Sequence, residues 1–221
     1  MRNRPGGSRS EPGERRAVLA AVRRRSEFGA LAAALGIAAC ATATLPTPEV
    51  AARARSIGSY SARLRVSLSG PQLRARTRAL LAFRRPDALR IEVPGPTGAR
   101  LVVVMRGGRL WAVFPGERAV FESAATSAEL ADLLGVALSP TEMMDLLVGV
   151  PSSRLRGYQA RWGPLLPREV EALLPDGARL RIGVEEPDTA GLIADAAFAV
   201  PPHDGYRSVG AEEARQLWSR P

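Results

Sequence analysis

The sequence contains no lysine, one cysteine and one histidine, and only 5% of its 221 residues are aromatic. A single cysteine excludes an intramolecular disulfide, and a single imidazole argues against a histidine-rich metal site or a Ser–His–Asp hydrolase. All 31 basic residues are arginine, which indicates a compositional habit of the coding genome more than a binding adaptation. With 46% hydrophobic and 24% charged residues, the chain fits neither a disordered protein nor a polytopic membrane protein. We expect one domain with one core.

The net charge of +9 is uneven along the chain. Residues 1–27 contain eight arginines and three glutamates, so +5 belongs to this leader. The remaining +4 is expected to be spread over the body of the protein. Because phosphate binding needs arginines clustered on one face, the sequence predicts no nucleic-acid partner.

The leader continues into an apolar segment of twelve residues, Phe28–Ala39, which carries no charge. This length is too short to cross a bilayer comfortably and is typical of the apolar region of a signal peptide. The segment ends in Ile37-Ala38-Ala39, directly before Cys40. This order resembles the bacterial lipobox, whose cysteine is diacylated on sulfur, freed by cleavage and acylated on its new amino group. The alternative is that Cys40 is one more small apolar residue of the leader.

The lipobox interpretation divides the chain into three parts. Residues 1–39 are a lipoprotein signal peptide, residues 40–52 a flexible tether rich in small residues and proline, and residues 53–221 the folded domain. Two or three acyl chains, such as palmitate, hold a protein on a membrane almost permanently. Ala41 stands where many lipoproteins carry an inner-membrane retention aspartate, so the resemblance permits an outer-membrane location facing the periplasm.

The domain is predicted to be mainly antiparallel sheet, because short segments of period-two apolarity alternate with turn signals. In Ser61–Gly70 the leucines and valine alternate with arginines, and Arg74–Arg84 repeats the pattern. Arginines at alternate strand positions indicate a solvated face. Residues 101–105 are apolar on both faces, so this strand should be covered from both sides. The further strands are expected at residues 88–93, 100–105, 110–114, 118–122, 155–162, 168–174, 179–184 and 193–200.

Two short helices interrupt the strands. Thr126-Ser127-Ala128-Glu129 and Ser139-Pro140-Thr141-Glu142 are capping boxes, each followed by an apolar helical pattern that ends at glycine. A third short helix is expected over 210–218. The fold class is therefore α+β, a sheet with helices inserted in mid-chain.

Taken together, the lipobox, the antiparallel strands, the PxG loop before an apolar strand and the paired helices ending in LLxGxP resemble LolB and the broader LolA/LolB-like superfamily of lipoprotein-sorting proteins. The segment Leu133–Pro151, LLGVALSPTEMMDLLVGVP, is the most similar part. The resemblance implies a curved, incomplete antiparallel β-barrel with an apolar concave side and a lid of the inserted helices. It also implies that this cavity takes the acyl chains of lipoproteins from a LolA-like periplasmic carrier and passes them to the membrane.

The residues expected to line such a cavity come from the apolar faces of the strands and from the two inserted helices. Periodicity fixes a face but does not show whether that face is filled, so ordinary core packing is the alternative for each of them. The candidates are Leu64, Val66, Leu68, Leu81, Phe83, Leu89, Ile91, Val93, Leu101, Val103, Trp111, Val113, Leu130, Leu133, Leu134, Met143, Met144 and Leu147.

The loop Pro94–Gly98 departs from the family pattern. In LolB the equivalent loop presents an exposed leucine that is thought to help insert lipoproteins into the membrane, whereas this chain has Pro96 and Thr97. Threonine is a poor membrane wedge, which puts the insertion activity in doubt. A stiff turn set by two prolines and two glycines also explains the composition of the loop.

Other functions find little support in the sequence. An enzyme would have to use His203 with Asp204 and Tyr206, or His203 with the carboxylates of residues 185–188, and turn composition accounts for both groups. We therefore expect no catalysis, no cofactor and no metal, and a monomer. Two alternatives remain open: a lipoprotein that binds a different lipid or an envelope protein, and a scaffold with a filled core.

Overall fold

The strands of the domain pair into one ten-stranded sheet. A computed structural model of the protein describes residues 47–70 and 74–219, so the predicted signal peptide, Cys40 and most of the predicted tether lie outside the described residues. The strands are β1 Ser59–Ser69, β2 Arg74–Arg84, β3 Ala88–Gly95, β4 Gly98–Arg106, β5 Arg109–Phe114, β6 Ala119–Ala124, β7 Gly157–Trp162, β8 Pro167–Leu173, β9 Arg179–Asp188 and β10 Arg207–Ser208.

The strand order is β10-β6-β5-β4-β3-β2-β1-β9-β8-β7, so β10 and β7 are the two edges and the sheet does not close. This confirms the expected incomplete barrel. The pairing is antiparallel throughout except between β10 and β6, which run parallel. The sequence predicted no strand at residues 207–208, where the chain returns to β6 after a long excursion and not through a hairpin.

The described helices are α1 Pro48–Arg55, α2 Ser127–Leu134, α3 Pro140–Leu147 and α4 Ala211–Ser219. Helix α1 corrects the predicted boundary of the tether, since residues 48–52 are helical. Its local signals explain this: the Thr47 side chain accepts a hydrogen bond from the Val50 N–H, and Pro48 occupies the first turn. These are the same capping rules that predicted α2 and α3 correctly.

The alternation in β1 and β2 is as predicted. Leu64 and Leu68 of β1, with Leu81 and Phe83 of β2, are buried on one face. The other face exposes Arg63 and Arg65 of β1 and Arg74, Arg76 and Arg78 of β2. The β4–β5 hairpin turns at Gly107 and Gly108, whose φ angles of 58° and 75° lie in the left-handed region that favours glycine.

Strand β4 is buried on both faces over residues 101–105, as expected. The outer cover is a segment over residues 195–206, which we call the outer strap. Val102, Val104 and Val113 pack there against Val200 and Tyr206.

The strand predicted at residues 193–200 is wrong, because the strap contains the 3₁₀ helix Asp195–Phe198. Asp195 forms ion pairs with Arg84 and Arg106, and the pKa of its carboxyl is lowered by the hydrogen bond and charge of Arg84. Phe198 is buried. It is the one buried side chain of residues 193–200, so side-chain contacts, and not strand pairing, hold this segment on the sheet.

Candidate functional site

An apolar cavity lies between the concave face of the sheet and helices α2, α3 and α4. Its narrow interior space is about 90 Å³, and the whole concavity, including the part open to solvent, is about 800 Å³. One water needs about 10–15 Å³ of such interior space, so the 90 Å³ interior exceeds the room for a single water but is smaller than typical small-molecule pockets of about 300–1,000 Å³. The lining residues are Leu64, Val66, Leu68, Ala75, Thr77, Ala79, Leu81, Ile91, Val93, Leu101, Val103, Leu134, Val136, Leu138, Met143, Leu146, Leu147, Leu180, Ile182 and Trp218.

Side-chain size on facing strands creates the space. On β1 and β2 the pairs are Leu64 with Ala79, Val66 with Thr77, and Leu68 with Ala75, so β2 contributes small side chains along this stretch. Strand β3 pairs only with Leu80–Arg84 of β2, so, within the described part of the chain, residues 74–79 have no strand partner on that side. Small side chains and a missing neighbour together leave room that the core does not fill.

Five lining residues remain partly exposed and mark the mouth of the cavity. They are Val66, Ala75, Thr77, Ile91 and Met143. Four of them are apolar, and Thr77 directs its hydroxyl to the carbonyl of Arg78 at 3.1 Å. The mouth therefore offers apolar surface to an entering ligand.

Helices α2 and α3 form the roof, and their caps hold it in shape. Gly135, with φ of 70°, ends α2 and turns the chain so that Val136 and Leu138 reach the cavity. At the start of α3 the Ser139 N–H donates to the Glu142 carboxylate at 2.8 Å, and the Glu142 N–H donates to the Ser139 hydroxyl at 3.3 Å. This reciprocal pair satisfies two N–H groups that the helix itself leaves unbonded.

Further polar contacts tie α3 to its surroundings. Ser152 donates to the Glu142 carboxylate, and Arg154 lies 3.2 Å from it. Burial raises the pKa of Glu142, but the hydrogen bonds from Ser152 and Ser139 and the charge of Arg154 outweigh it, so the pKa is lowered. Arg85, just after β2, forms an ion pair of 2.6 Å with Asp145 of α3, and both side chains are largely buried.

The end of α3 packs closely on the β7–β8 hairpin. Gly149 has φ of +89°, and a Cβ there would come within 2.3 Å of the Trp162 ring. Only glycine fits this position, on both conformational and steric grounds.

Helix α4 completes the roof, a contribution that the sequence analysis missed. Ala214, Leu217 and Trp218 are buried, and Trp218 lines the cavity. The Arg100 guanidinium lies 5.7 Å from the centre of the Trp218 ring. The buried Trp218 Nε1–H has no hydrogen-bond acceptor within the part of the chain that the structure describes.

Eleven of the eighteen residues predicted to line a cavity do so, and their role in acyl-chain binding stays a prediction. They are Leu64, Val66, Leu68, Leu81, Ile91, Val93, Leu101, Val103, Leu134, Met143 and Leu147.

The other seven lie elsewhere. Phe83, Leu89, Leu130, Leu133 and Met144 are buried in the filled part of the core. Trp111 and Val113 were predicted on the wrong face of β5. They point to the outer side of the sheet, where Val113 packs with Val102 and Val104. Strand β5 is apolar on both faces, so alternation alone did not fix which residues face inward.

Nine lining residues were not predicted. Ala75, Thr77 and Ala79 were not among the candidates, although the alternation of β2 places them on the same face as Leu81 and Phe83. Leu180 and Ile182 follow from the β8–β9 hairpin once β9 pairs with β1, with Leu68 opposite Leu180 and Val66 opposite Ile182. The remaining four belong to the roof: Val136, Leu138, Leu146 and Trp218.

The predicted insertion loop is a tight turn between β3 and β4. Gly95 and Gly98 pair across it, and Pro96 and Thr97 at its tip are exposed. A role of this loop in membrane insertion stays a prediction.

The polar groups considered for catalysis have structural partners. Glu185 and Glu186 form ion pairs with Arg65 and Arg63 at 2.8 and 3.5 Å, and His203 Nδ1 lies 2.9 Å from the Pro201 carbonyl oxygen. Asp188 accepts a hydrogen bond from the Ala190 N–H.

Over residues 47–70 and 74–219, no group of three or more metal-binding side chains comes together, and no helix is long and apolar enough to span a bilayer.

No family model and no curated relative matches the sequence. Among solved structures, a LolA superfamily protein from Nitrosomonas europaea is similar at 9% identity and a TM-score of 0.43, covering 69% of this chain and 96% of that chain. A putative outer membrane lipoprotein-sorting protein domain from Vibrio parahaemolyticus is similar at 9% identity and a TM-score of 0.38, covering 68% of this chain and 94% of that chain. These likenesses concern the fold.

A third solved structure, a DUF1329 family protein from Desulfovibrio piger, is similar at 13% identity and a TM-score of 0.40. The match covers 72% of this chain and 97% of that chain. Because these likenesses concern the fold, the function of the cavity is inferred from the lining residues of this chain.

Proposed function

We propose that this protein is a non-enzymatic lipoprotein of the bacterial cell envelope that holds the acyl chains of other lipoproteins in its cavity and assists their localisation or insertion into the outer membrane. It would be anchored through acyl chains on Cys40 and receive its cargo from a LolA-like periplasmic carrier. The cavity is the observation that carries the proposal, because its lining is apolar but for Thr77 and the Trp218 indole N–H.

Physical chemistry favours acyl chains over a polar ligand in this cavity. A polar group placed there would lose its hydrogen bonds to water and find almost no partner, whereas each buried methylene gains about 0.8 kcal/mol. Met143 at the mouth suits chains of variable shape, since methionine is unbranched and flexible.

A transfer assay tests the proposal. Every residue of the core cluster lies between Ala54 and Trp218, so a chain of residues 41–221 keeps the whole core and lacks the acylated cysteine. This chain is mixed with a carrier-bound triacylated lipoprotein and, separately, with the same lipoprotein without acyl chains. We expect transfer of the acylated form only. Transfer of neither form, or of both equally, would contradict the sorting function.

Insertion is tested separately from binding. In a liposome insertion assay we expect Thr97→Leu to insert more cargo than the unchanged chain, because leucine enters a bilayer more readily than threonine. Thr97→Ser is the matched control and should not raise insertion. An unchanged yield with Thr97→Leu would remove the β3–β4 turn from the mechanism and leave acyl-chain binding untouched.

A further inference from the structure

The face of the sheet opposite the cavity carries a dense group of arginines. Eight of them, from β1, β2, β7 and β9, are exposed there beside four glutamates, so four positive charges are in excess. We call this surface the arginine face. The sequence analysis expected the charge of the body to be spread out, and the strand order instead collects it on one half of the sheet.

The register explains how distant residues meet. Arg78 of β2 is opposite Arg65 of β1, which is opposite Gly183 of β9. Gly183 is opposite Glu169 of β8, which is opposite Arg161 of β7. Since Gly183 has no side chain, a groove opens between the arginines on its two sides.

Half of the arginines on this face have no partner for their guanidinium groups among the residues that the structure describes. Arg161 and Arg181 share Glu169 at 3.2 and 3.4 Å. By contrast, the side chains of Arg74, Arg76, Arg78 and Arg179 form no hydrogen bond or ion pair with any residue in the described ranges. Like charges on facing strand positions, such as Arg65 and Arg78, oppose folding. An anionic ligand would relieve this repulsion.

An apolar tip lies beside the arginine face. The β7–β8 hairpin turns at residues 163–166, where the Leu165 side chain is 70% exposed between Pro164 and Leu166. Arg168 lies next to this turn, since a Cβ on Gly163 would be only 3.0 Å from its Nε, and Arg168 also borders the groove. The tip therefore combines exposed apolar area with nearby positive charge, the two features from which interfacial membrane binding gains its strength.

The chain enters the domain from the same end of the sheet. Strand β1 starts at Ser59. The pairing of β1 with β9 and of β9 with β8 brings the start of β1, with Arg63, to the end of the sheet at which the β7–β8 hairpin turns. Six residues, 41–46, separate the predicted anchor at Cys40 from the first described residue, and fully extended they reach about 25 Å. An anchored domain is therefore held close to the bilayer.

We propose that the arginine face, together with Leu165, docks on a bilayer surface rich in anionic phospholipid. The arginines span five strands, or about 20 Å at the usual strand spacing, which suits many phosphate groups in a plane better than one bound phosphate. Guanidinium groups bind phosphate oxygens in pairs of hydrogen bonds, and leucine adds apolar contact. This inference goes beyond the proposed function, because it does not involve the cavity.

Vesicle sedimentation tests the proposal. Residues 41–221, which lack the acylated cysteine, are mixed with vesicles of phosphatidylcholine alone or of phosphatidylcholine with phosphatidylglycerol. We expect binding to the anionic vesicles only, weakened by salt. Since each arginine near an anionic surface contributes about fivefold, Arg76→Gln combined with Arg78→Gln should weaken binding at least about tenfold. Both side chains are exposed, so the fold should be retained.

The matched control removes the same charge elsewhere. The control combines Arg109→Gln on β5 with Arg207→Gln on β10. It should change the affinity for vesicles by less than about twofold. Leu165→Ser should lower the fraction of binding that survives high salt. The proposal is overturned if neutral vesicles bind equally, if the control weakens binding as much as the test pair, or if only an acidic protein or a nucleic acid binds. Acyl transfer measured on the same variants keeps this result separate from the proposed function.

Discussion

The concave face of the sheet is equally apolar at its two ends, yet one end is filled and the other is hollow. At the closed end, one row of residues crosses five strands with no solvent exposure: Tyr60, Phe83, Leu89, Met105 and Leu110. At the open end, large residues of β1 stand opposite Ala75, Thr77 and Ala79 of β2. The difference teaches that side-chain volume across facing strands, and not hydrophobicity, decides where a cavity forms.

The largest expected effect is on the free energy of unfolding, which a truncation at the closed end should lower more than a truncation at the open end. Phe83 stacks on Tyr60 with ring centres 5.2 Å apart at the closed end, so Phe83→Ala should lower the free energy of unfolding by about 3–5 kcal/mol. Met143→Ala, at the partly exposed mouth, should cost about 1 kcal/mol, because its site is already open. Urea unfolding of residues 41–221 measures both. Equal losses would show that the open end is packed as tightly as the closed end.

The next effect concerns ligand binding and not stability. Ala75→Phe places a ring in the mouth of the cavity and should weaken binding of a fluorescent fatty-acid analogue at least about tenfold, or about 1.4 kcal/mol. The probe should raise the melting temperature of the unchanged chain and not that of the variant. Ala82→Phe, on β2 but on the opposite face, is the matched control and should bind normally. Unchanged affinity of Ala75→Phe would place the ligand elsewhere.

The sequence predicted which side of each strand faces the core better than it predicted which part of the core is filled. Alternation placed the β1 and β2 residues correctly, because each of these strands has one polar face. It failed on β5, where both faces are apolar and Trp111 and Val113 were assigned inward. It gave the face of Ala75 and Ala79 but not their place in the cavity, because alternation carries no information on side-chain volume. Capping boxes predicted α2 and α3, but no local signal shows that α4 returns to cover the cavity.

A third effect concerns a polar atom in the closed end. Tyr60 is fully buried, its hydroxyl has no hydrogen-bond partner among the described residues, and burial raises its pKa. A buried unsatisfied hydroxyl costs about 1–3 kcal/mol, so Tyr60→Phe should raise the free energy of unfolding by about 1 kcal/mol. Thermal unfolding measures the gain, and Tyr206→Phe on the partly exposed outer strap should change little. A loss of stability in Tyr60→Phe would mean that water reaches this row and the end is not closed.

The smallest effect concerns the roof over the open end, which polar contacts hold in place where the closed end relies on packing. The folded protein lowers the pKa of Glu142, so this carboxylate stabilises the fold above its ordinary pKa of about 4.3, and the contribution is lost as the pH falls through the lowered value. At neutral pH Glu142→Gln should cost about 1 kcal/mol, because glutamine can still accept from the Ser139 N–H but loses the charge that faces Arg154 and strengthens the bond from Ser152. The difference from the unchanged chain should vanish in acid, as urea unfolding across the pH range would show.

The matched control for this effect is Glu129→Gln, at the same position of α2. Its backbone N–H bonds to Thr126, but its side chain makes no bond back to the cap within the described residues. Glu129→Gln should therefore cost less at neutral pH. An equal cost for the two variants would show that the charge of Glu142, which faces Arg154, adds nothing to stability. The roof of α3 would then rest on apolar packing, as the closed end does, and the contrast between the two ends would reduce to side-chain volume alone.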